Sequence, residues 1–354
     1  MDDALRAGCV ASPLLGPVAM DRGNHWNPSQ LDRTINGMKR VLVVHYSQSG
    51  QLTAVLRSIV APLENRPDIE VVYENIEPVQ DYPFPWPFFD FLDVFPESVY
   101  LDPAPIKPLK VDPESRFDLI ILGYTVWYLS PSQPVTAFLK SAAGRRLLAG
   151  TPVITVTACR NMWLTAQEKV KKLLTEAGAR HLDHVALIDQ SPALATFYTT
   201  PRWLLTGRKD TVWNFPPAGI AESEIAAARR FGRAIAAAFD RGDLAAQAPL
   251  LRGLEAVKVD DRLIASERIG HRSFLVWGRL LRKVGPPGSA RRRPVLAVYV
   301  VFLIAMIVVV VPPSMLLRAL LRPFTRARTA ALKAAYEQPS GAESFRMQEF
   351  ADDR

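Results

Sequence analysis

The stretch that most constrains the fold of this chain runs from Lys39 to Thr53, with the sequence KRVLVVHYSQSGQLT. Its first half, Val41 to Tyr46, is an apolar run rich in β-branched residues, which is typical of a strand buried on both faces of a sheet. A polar turn with one glycine follows, and apolar residues from Leu52 to Ile59 then recur at helical spacing. The chain therefore passes from a strand end into a helix N-terminus, where unpaired backbone N–H groups and the helix dipole favour an anion.

The turn between this strand and this helix lacks the marks of the common nucleotide loops. A triphosphate loop needs Lys followed by Ser or Thr after its second glycine, and a dinucleotide fingerprint needs three spaced glycines. One glycine with hydroxyl side chains near it suits a single monophosphate, while an ordinary βα turn capped by Ser49 is the alternative. The candidate phosphate contacts are Ser47, Gln48, Ser49, Gly50, Gln51 and Leu52.

Strands and helices are predicted to alternate along the next part of the chain. Further strands are predicted at 69–76, 117–123, 153–157 and 185–188, with helices at 131–143, 163–178 and 222–239. Short links between them predict an α/β domain over 38–241 with a parallel sheet, helices on both faces, and the doubly wound strand order 2-1-3-4-5. In that order a ligand lies beyond the carboxyl ends of the strands.

Two aromatic segments interrupt this alternation. Residues 78–113 form an insertion that is too rich in proline for regular structure, and its many rings are expected to be buried. It could extend the core, cap an active-site mouth, bind an apolar substrate, lie on a membrane, or form a subunit contact in a homodimer. Residues 190–219 are predicted as a second aromatic loop. Residues 1–37 lack periodicity and are expected to be a disordered leader.

The C-terminal part differs in charge from the rest. The net charge is +8, and residues 242–354 carry 18 basic against 10 acidic side chains. This surplus brackets a long apolar run, so an anionic membrane surface is a better partner than nucleic acid. The two cysteines, Cys9 and Cys159, show no disulfide framework and no metal-site spacing, which favours a reducing compartment.

We predict a basic amphipathic connector over 242–293, a membrane anchor over 294–324 and a tail over 325–354. The uncharged run Val295–Val311 would make a helix of about 26 Å, slightly short of a ~30 Å hydrocarbon core. Pro312-Pro313 should break it, and Ser314–Phe324 should resume along the interface with Arg318 and Arg322 reaching the headgroups. A buried core helix is the alternative. Basic residues on the two sides are nearly balanced, so the anchor is either transmembrane or re-entrant.

Two further loops are expected at the same sheet edge as the Ser47 turn. One follows the strand ending at Gly123 and contains Thr125, Val126, Trp127 and Tyr128, whose aromatic rings are candidates for stacking on a planar ligand. The other contains Cys159, Arg160 and Asn161, where Arg160 or Asn161 could stabilise negative charge. Tyr128 and Arg160 are the candidate catalytic residues. His45 lies in an apolar strand and is better explained as a core histidine.

The turn of Ser47, Ser49 and Gly50 resembles the phosphate loop of flavodoxins, whose pattern is hydroxyl-x-hydroxyl-Gly-x-hydroxyl. Leu52 stands where a hydroxyl is usual, and Thr53 comes one position late. The resemblance implies a flavodoxin-like fold with FMN as the cofactor. It also implies a ring stacked on Trp127 or Tyr128, main-chain donors of the third loop at the ring edge, and a cytoplasmic domain anchored at the inner (plasma) membrane.

Three stretches between about 38 and 240 resemble a narrower group, namely HYSQSGQLT, DYPFPWPFFDFLDVFPESVY and TACRNMW. They are similar to the flavodoxin-like enzymes of dialkylresorcinol and aryl-polyene lipid biosynthesis, often called dialkylresorcinol condensing enzymes. This resemblance implies an FMN-dependent oxidoreductase that aromatises a lipid-like cyclic diketone supplied by a partner ketosynthase. Two alternatives stay open: a membrane-tethered electron carrier or NAD(P)H:quinone reductase, and a flavin-free interaction protein.

Overall fold

A computed structural model describes residues 37–211, 215–245 and 248–351, so the leader predicted over 1–37 lies outside the described residues except for Gly37. Within the helices of this part, no side chain is described at 193–194, 245, 311–312, 314–316, 318–319 and 322.

Five parallel strands form the central sheet. They are β1 Lys39–His45, β2 Ile69–Asn75, β3 Leu119–Tyr124, β4 Pro152–Cys159 and β5 Arg180–Ile188. Their spatial order is β2-β1-β3-β4-β5, and every neighbouring pair is parallel. This confirms the predicted flavodoxin-like order 2-1-3-4-5. Strand β5 begins five residues earlier than predicted, because His181, Asp183 and His184 interrupt its apolar pattern although Asp183 and His184 are buried.

Helices cover both faces of this sheet. Successive residues of β1 point to opposite layers: Val41 and Val43 join one core cluster, and Leu42 and Val44 the other. The helices are α1 Gln51–Glu64, α2 Phe88–Asp93, α3 Phe95–Tyr100, α4 Gln133–Lys140, α5 Ala142–Leu148, α6 Leu164–Glu176, α7 Ala193–Thr206, α8 Glu222–Ala227, α9 Arg229–Arg241, α10 Asp261–Val284, α11 Arg292–Ala305 and α12 Val311–Glu337, with a 3₁₀ turn at Asp243–Ala245 and a π-helix at Met306–Val310.

The insertion contains helices α2 and α3, so the prediction of no regular structure in 78–113 was wrong. Pro87 precedes α2 and Pro96 lies in the first turn of α3, where a missing backbone N–H breaks no helical hydrogen bond. Trp86 is 3% exposed and Phe95 is fully buried, as expected, whereas Phe88 and Phe89 are 44% and 39% exposed. The expected burial is therefore confirmed for some rings of the insertion and wrong for these two. The insertion extends the core on one side of the sheet.

The second aromatic segment, predicted as a loop over 190–219, is largely helix α7. Threonines and Pro201 within this helix lower its intrinsic helix propensity, which is why its sequence gave no clear helical signal. Packing against the insertion stabilises this helix instead. The backbone N–H of Trp86 donates to the Leu204 carbonyl at 2.9 Å, and the ring centres of Phe84 and Trp203 lie 6.0 Å apart.

Residues after 241 are part of the folded domain rather than a separate connector and tail. Leu250, Leu254, Ile264 and Phe350 lie in the same apolar core as α1 and α9. The tail is fixed to β5, where the Ser340 hydroxyl donates to Asp183 Oδ1 at 2.7 Å.

Within the part of the chain that the structure describes, one helix, Arg292–Val310, is long and apolar enough to cross a membrane by length and composition. The helical segment does not stop at Pro312-Pro313, because these prolines occupy the first turn of α12, a position that tolerates proline. The regular α-helix is nevertheless interrupted just before them, by the π-helix at Met306–Val310. Whether Arg318 and Arg322 reach an interface stays a prediction, because their side chains lie outside the described residues.

Candidate functional site

The carboxyl ends of the central strands meet at one edge of the sheet. His45 at the end of β1 pairs with Gly123 of β3, and Tyr124 at the end of β3 pairs with Thr157 of β4. The loops that follow β1, β3 and β4 therefore leave from the same edge, as the sequence predicted. They are called here the first, second and third loops, covering 46–50, 125–132 and 160–163.

The first loop has the properties of an anion cradle. Its backbone N–H groups at 47–50 donate no hydrogen bond to any described residue, and the Oγ of Ser47 is buried without a partner. Gly50, and not Ser49, is the N-cap of α1, with a φ of 80°. That left-handed conformation favours glycine, and a Cβ added there would meet nothing within 4 Å. The loop is thus open to a ligand that carries acceptor oxygens.

Three of the predicted contacts in this loop use their side chains elsewhere. The Gln48 amide donates to the Pro83 carbonyl at 2.6 Å and accepts from Trp86 Nε1 at 2.9 Å. The Gln51 amide donates to the Ile220 carbonyl at 3.5 Å, and Leu52 is buried in the core. The side chains of these three residues are therefore engaged within the protein, and a phosphate contact from their backbone N–H groups stays a prediction.

His45 lies directly beneath the first loop and is 5% exposed, as expected for a core histidine. Its Nε2 lies 3.1 Å from the hydroxyl of Thr53, the threonine that comes one position later than in the flavodoxin pattern. The hydroxyl of Thr53 therefore pairs with His45, and the Nδ1 of His45 has no hydrogen-bond partner among the described residues. Burial, and then the charge of Arg57, lowers the pKa of His45 to about 4. A cleft of about 1040 Å³ runs from His45 and Ser47 along α1 toward Tyr73.

The second loop folds into a two-residue hairpin that the sequence did not predict. Val126 pairs with Pro131 and Trp127 with Ser130, while Tyr128 and Leu129 at its tip have φ of 49° and 58°. Left-handed conformations at both turn positions suit the twist of the two strands in a tight hairpin, and Asn or Gly usually occupies these positions. Next to this hairpin, the Oγ1 of Thr125 is buried without a partner.

The two aromatic residues of the second loop are packed inside the protein. Trp127 is 9% exposed and lies between 4.9 and 6.1 Å from the rings of Tyr46, Tyr82 and Trp86. Tyr128 donates its hydroxyl to the Phe91 carbonyl at 2.7 Å. The prediction that these rings form an open stacking platform is therefore corrected: packing by the insertion covers most of the ring surface that a cofactor would use.

The third loop is covered by α7. Arg160 Nε donates to the Thr196 hydroxyl at 2.7 Å, and its guanidinium lies 4.4 Å from the centre of the Phe197 ring. Burial lowers the pKa of Arg160. The Cys159 thiol contacts the Asn161 carbonyl at 3.5 Å, and burial raises its pKa. A thiol with a raised pKa is a poor nucleophile at neutral pH.

Sequence reasoning missed the residues that hold these loops in place. Gln48 ties the first loop to the insertion, and Thr196 ties the third loop to α7. Glu267 of α10 accepts hydrogen bonds from the backbone N–H groups of Leu164 and Thr165 at the start of α6. No local pattern marks such long-range partners, although a carboxylate in the apolar face of α10 was a signal worth following.

Known proteins give limited guidance. No family model and no curated protein matches this chain. Similar solved structures include a flavoprotein in complex with FMN from Lactobacillus acidophilus, with 16% identity over 42% of this chain and 93% of that chain and a TM-score of 0.34. Another is oxidised flavodoxin 1 from Bacillus cereus, with 14% identity over 57% of this chain and 98% of that chain and a TM-score of 0.31.

The fold of this chain is flavodoxin-like. The order and parallel register of its own five strands show this. The flavodoxin-like sheet places the first, second and third loops together, and their chemistry is the basis for a function.

Proposed function

We propose that this chain is a membrane-associated flavoprotein that binds FMN at the carboxyl edge of its sheet and acts as an oxidoreductase. One observation carries the proposal: among the described residues, the backbone N–H groups of the first loop and the buried hydroxyl of Ser47 have no hydrogen-bond partner. A buried hydroxyl without a hydrogen bond costs about 1–3 kcal/mol. A phosphate oxygen would remove that cost.

The donor set fits a phosphomonoester. Residues 46–52 carry no cation, so the negative charge would be held by backbone N–H groups and by the N-terminus of α1. The unpartnered hydroxyl of Thr125 lies on the neighbouring loop and would supply a further donor to the same ligand. These features would hold FMN through its phosphate and leave the redox ring toward the second and third loops.

When bound, FMN would supply a two-electron acceptor at this edge. The chain would contribute binding, exclusion of water and a fixed positive charge from Arg160, which Thr196 and Phe197 hold in place. Because the hydroxyl of Tyr128 already donates to Phe91, we assign no catalytic role to Tyr128.

We further propose an apolar substrate. The insertion brings Phe88 and Phe89, which are 44% and 39% exposed, to the surface, and Leu296 and Tyr299 of α11 pack against Phe95 of the same insertion. A lipid-like cyclic diketone from a partner ketosynthase suits such surroundings. Its conversion to a resorcinol would remove two hydrogens, one as a hydride and one as a proton that passes to water. FMN would supply the acceptor for the hydride, with dioxygen or another oxidant as the final electron acceptor.

A quinone is the alternative substrate. A membrane-tethered carrier or NAD(P)H:quinone reductase would use the same apolar surroundings, with NAD(P)H as the electron donor. Turnover of NAD(P)H with a quinone, and none with a cyclic diketone, would favour this alternative. A chain that takes up no flavin would instead be an interaction protein.

Flavin binding is the first experiment. The full chain, purified in detergent, is titrated with FMN and with riboflavin, which lacks the phosphate. We expect FMN to bind at least about tenfold more tightly, which corresponds to ~1.4 kcal/mol. Ser49→Asp should remove this preference through charge repulsion with the phosphate, whereas Ser344→Asp, at an exposed position in the tail, should keep it. Equal affinities for FMN and riboflavin in the unaltered chain would refute the proposed site.

A further inference from the structure

We infer that the helical segment Arg292–Glu337 is re-entrant: it dips into one leaflet of a membrane with anionic headgroups and returns, so that the tail stays on the same side as the domain. The segment comprises α11, the π-helix and α12. This inference concerns the surface that meets the lipid and does not depend on FMN.

The first end of the segment is fixed to the domain by a buried ion pair. Arg292 is 1% exposed, and its guanidinium contacts the Glu97 carboxylate at 2.8 and 3.1 Å and Asp93 Oδ1 at 3.3 Å. Its Nε also donates to the carbonyl of Gly285, the residue that follows α10, at 2.8 Å. Releasing Arg292 would leave a buried charge without its partner, which is strongly unfavourable, so this end is firmly held.

The second end is fixed to the opposite end of α10. The Val259 N–H, just before α10, donates to Glu337 Oε1 at 3.2 Å, and the Val257 N–H donates to the Gly341 carbonyl at 3.1 Å. Beyond this point Ser340 bonds to Asp183, and Phe350 is 6% exposed in the core. The tail therefore belongs to the domain and has no free length to cross a bilayer.

The two attachments require the segment to bend. Val259 and Gly285 flank α10, which has 24 residues and is therefore about 36 Å long, whereas Arg292–Glu337 as a straight helix would measure about 69 Å. Sharp bends in helices occur at prolines and π-bulges. Both features lie near the middle of the segment, at Met306–Val310 and Pro312-Pro313.

The depth of insertion follows from where α11 leaves the domain. Leu303 is the last residue of α11 that packs against the cluster of Phe95, Leu281 and Tyr299. From Ile304 to Val310 the helix advances only about 10 Å, less than half of a ~30 Å hydrocarbon core. The segment thus reaches into one leaflet and does not span both.

The exposed surface of the segment matches lipid. Val308 and Val309 are each 65% exposed, Leu320 is 66% and Phe324 is 87%. Exposed arginines stand on both sides of this apolar stretch: Arg291 and Arg293 before it, and Arg326 and Arg328 after it. Cations at both flanks are complementary to anionic headgroups, and they would oppose close packing of a second, equally basic copy.

The experiment uses single cysteines in a Cys9→Ser background of the full chain, with Cys159 giving the baseline. Lys172→Cys reports on the domain surface and Gln348→Cys on the tail; both positions are exposed. Intact spheroplasts and inverted inner-membrane vesicles of a bacterial host are treated with an impermeant maleimide. We expect both cysteines to react in inverted vesicles and neither in spheroplasts. If the cysteine of Gln348→Cys reacts in spheroplasts while that of Lys172→Cys does not, the tail lies on the other side of the membrane and the inference is overturned.

A second measurement reports on the segment itself. Val309→Cys carrying an environment-sensitive fluorophore is mixed with phosphatidylethanolamine–phosphatidylglycerol vesicles and with phosphatidylcholine vesicles. We expect a blue-shifted, brighter emission that is stronger with the anionic vesicles, and strongest quenching by lipids brominated within the near leaflet. Unchanged emission together with a dimer in solution would mean that a second copy covers this surface, and would overturn the inference.

Discussion

Glu267 of α10 accepts a hydrogen bond from the backbone N–H of Thr165 in the first turn of α6, so one helix caps another across the domain. The Leu164 N–H donates to the same carboxylate. Helix α6 begins directly after the third loop, and Glu267 is 1% exposed. The position of the third loop therefore depends on α10, the helix that also holds both ends of the segment Arg292–Glu337.

Replacing this cap should weaken both the fold and the site. Glu267→Ala leaves two buried N–H groups unpaired, and we expect the free energy of unfolding to fall by about 1–3 kcal/mol, with weaker FMN binding because the third loop loses its support. Glu267→Gln keeps one acceptor oxygen, so its free energy of unfolding and its FMN affinity should lie between those of the unaltered protein and Glu267→Ala. Denaturant unfolding and FMN titration measure these effects; identical values for all three proteins would show that the cap is unimportant.

The conformation of Gly50 gives a test of the first loop. Gly50→Ala places a Cβ on a residue with a φ of 80° and open space around it, which costs roughly 1–2 kcal/mol. Gly150→Ala is the matched control, since Gly150 has a φ of 72° and equally open surroundings but precedes β4, at the other edge of the sheet.

We expect both variants to lose similar stability, and Gly50→Ala alone to lose FMN affinity. A calorimetric titration of each variant with FMN makes the comparison. Equal affinity in both variants would mean that the phosphate does not approach this loop.

The hydrogen bonds of Gln48 connect the first loop to the insertion. Gln48→Ala removes the bonds to Pro83 and Trp86 and leaves the indole N–H unpaired. We expect a loss of about 1–3 kcal/mol and faster chymotryptic cleavage within 78–113. Gln80→Ala, at an exposed position in the same insertion, should change neither. Unchanged cleavage of Gln48→Ala would show that aromatic packing alone holds the insertion.

Buried histidines should make the domain sensitive to acid. Burial lowers the pKa of His45, His181 and His271 to about 4 each, from an ordinary value of 6.5. Between these values the unfolded chain binds protons that the folded chain does not, so stability falls as the pH decreases from 6.5 toward 4. Burial raises the pKa of Asp183 to about 6, which acts in the opposite direction.

Burial also lowers the pKa of His184 and raises that of Glu267. Four histidines thus outweigh two carboxyls, so the net expectation is a loss of stability in acid. Urea midpoints measured between about pH 7 and about pH 5 provide the test. A midpoint that stays constant or rises would contradict it. Replacing His271 by Gln should reduce the slope.

The sequence was sufficient for the sheet and for the edge at which the three loops meet. An apolar β-branched run such as Val41 to Val44 has few alternatives to a buried parallel strand, and alternation with helices leaves few strand orders. The edge at which the first, second and third loops meet follows from that order alone.

The uses of individual side chains could not be predicted in the same way. Gln48 and Trp127 are residue types that often contact ligands. Their orientation, however, is set by partners more than thirty residues away along the chain: Pro83 binds the Gln48 amide, and the Trp86 ring packs against Trp127. Tertiary packing likewise made a helix of Ala193–Thr206, whose sequence has weak helix propensity. The return of the tail depends on single contacts such as Ser340 with Asp183, which have no periodic signature.

The burial of Phe350 against a core that begins at β1 also bears on biogenesis. The core layer that contains β1 is complete only after residue 350 has been synthesised. Helices α11 and α12 therefore leave the ribosome before the domain can finish folding. Final closure of the fold and docking on lipid should then be late and coupled events. Shortening the chain before residue 340 should produce material that is retained by chaperones rather than a smaller native protein.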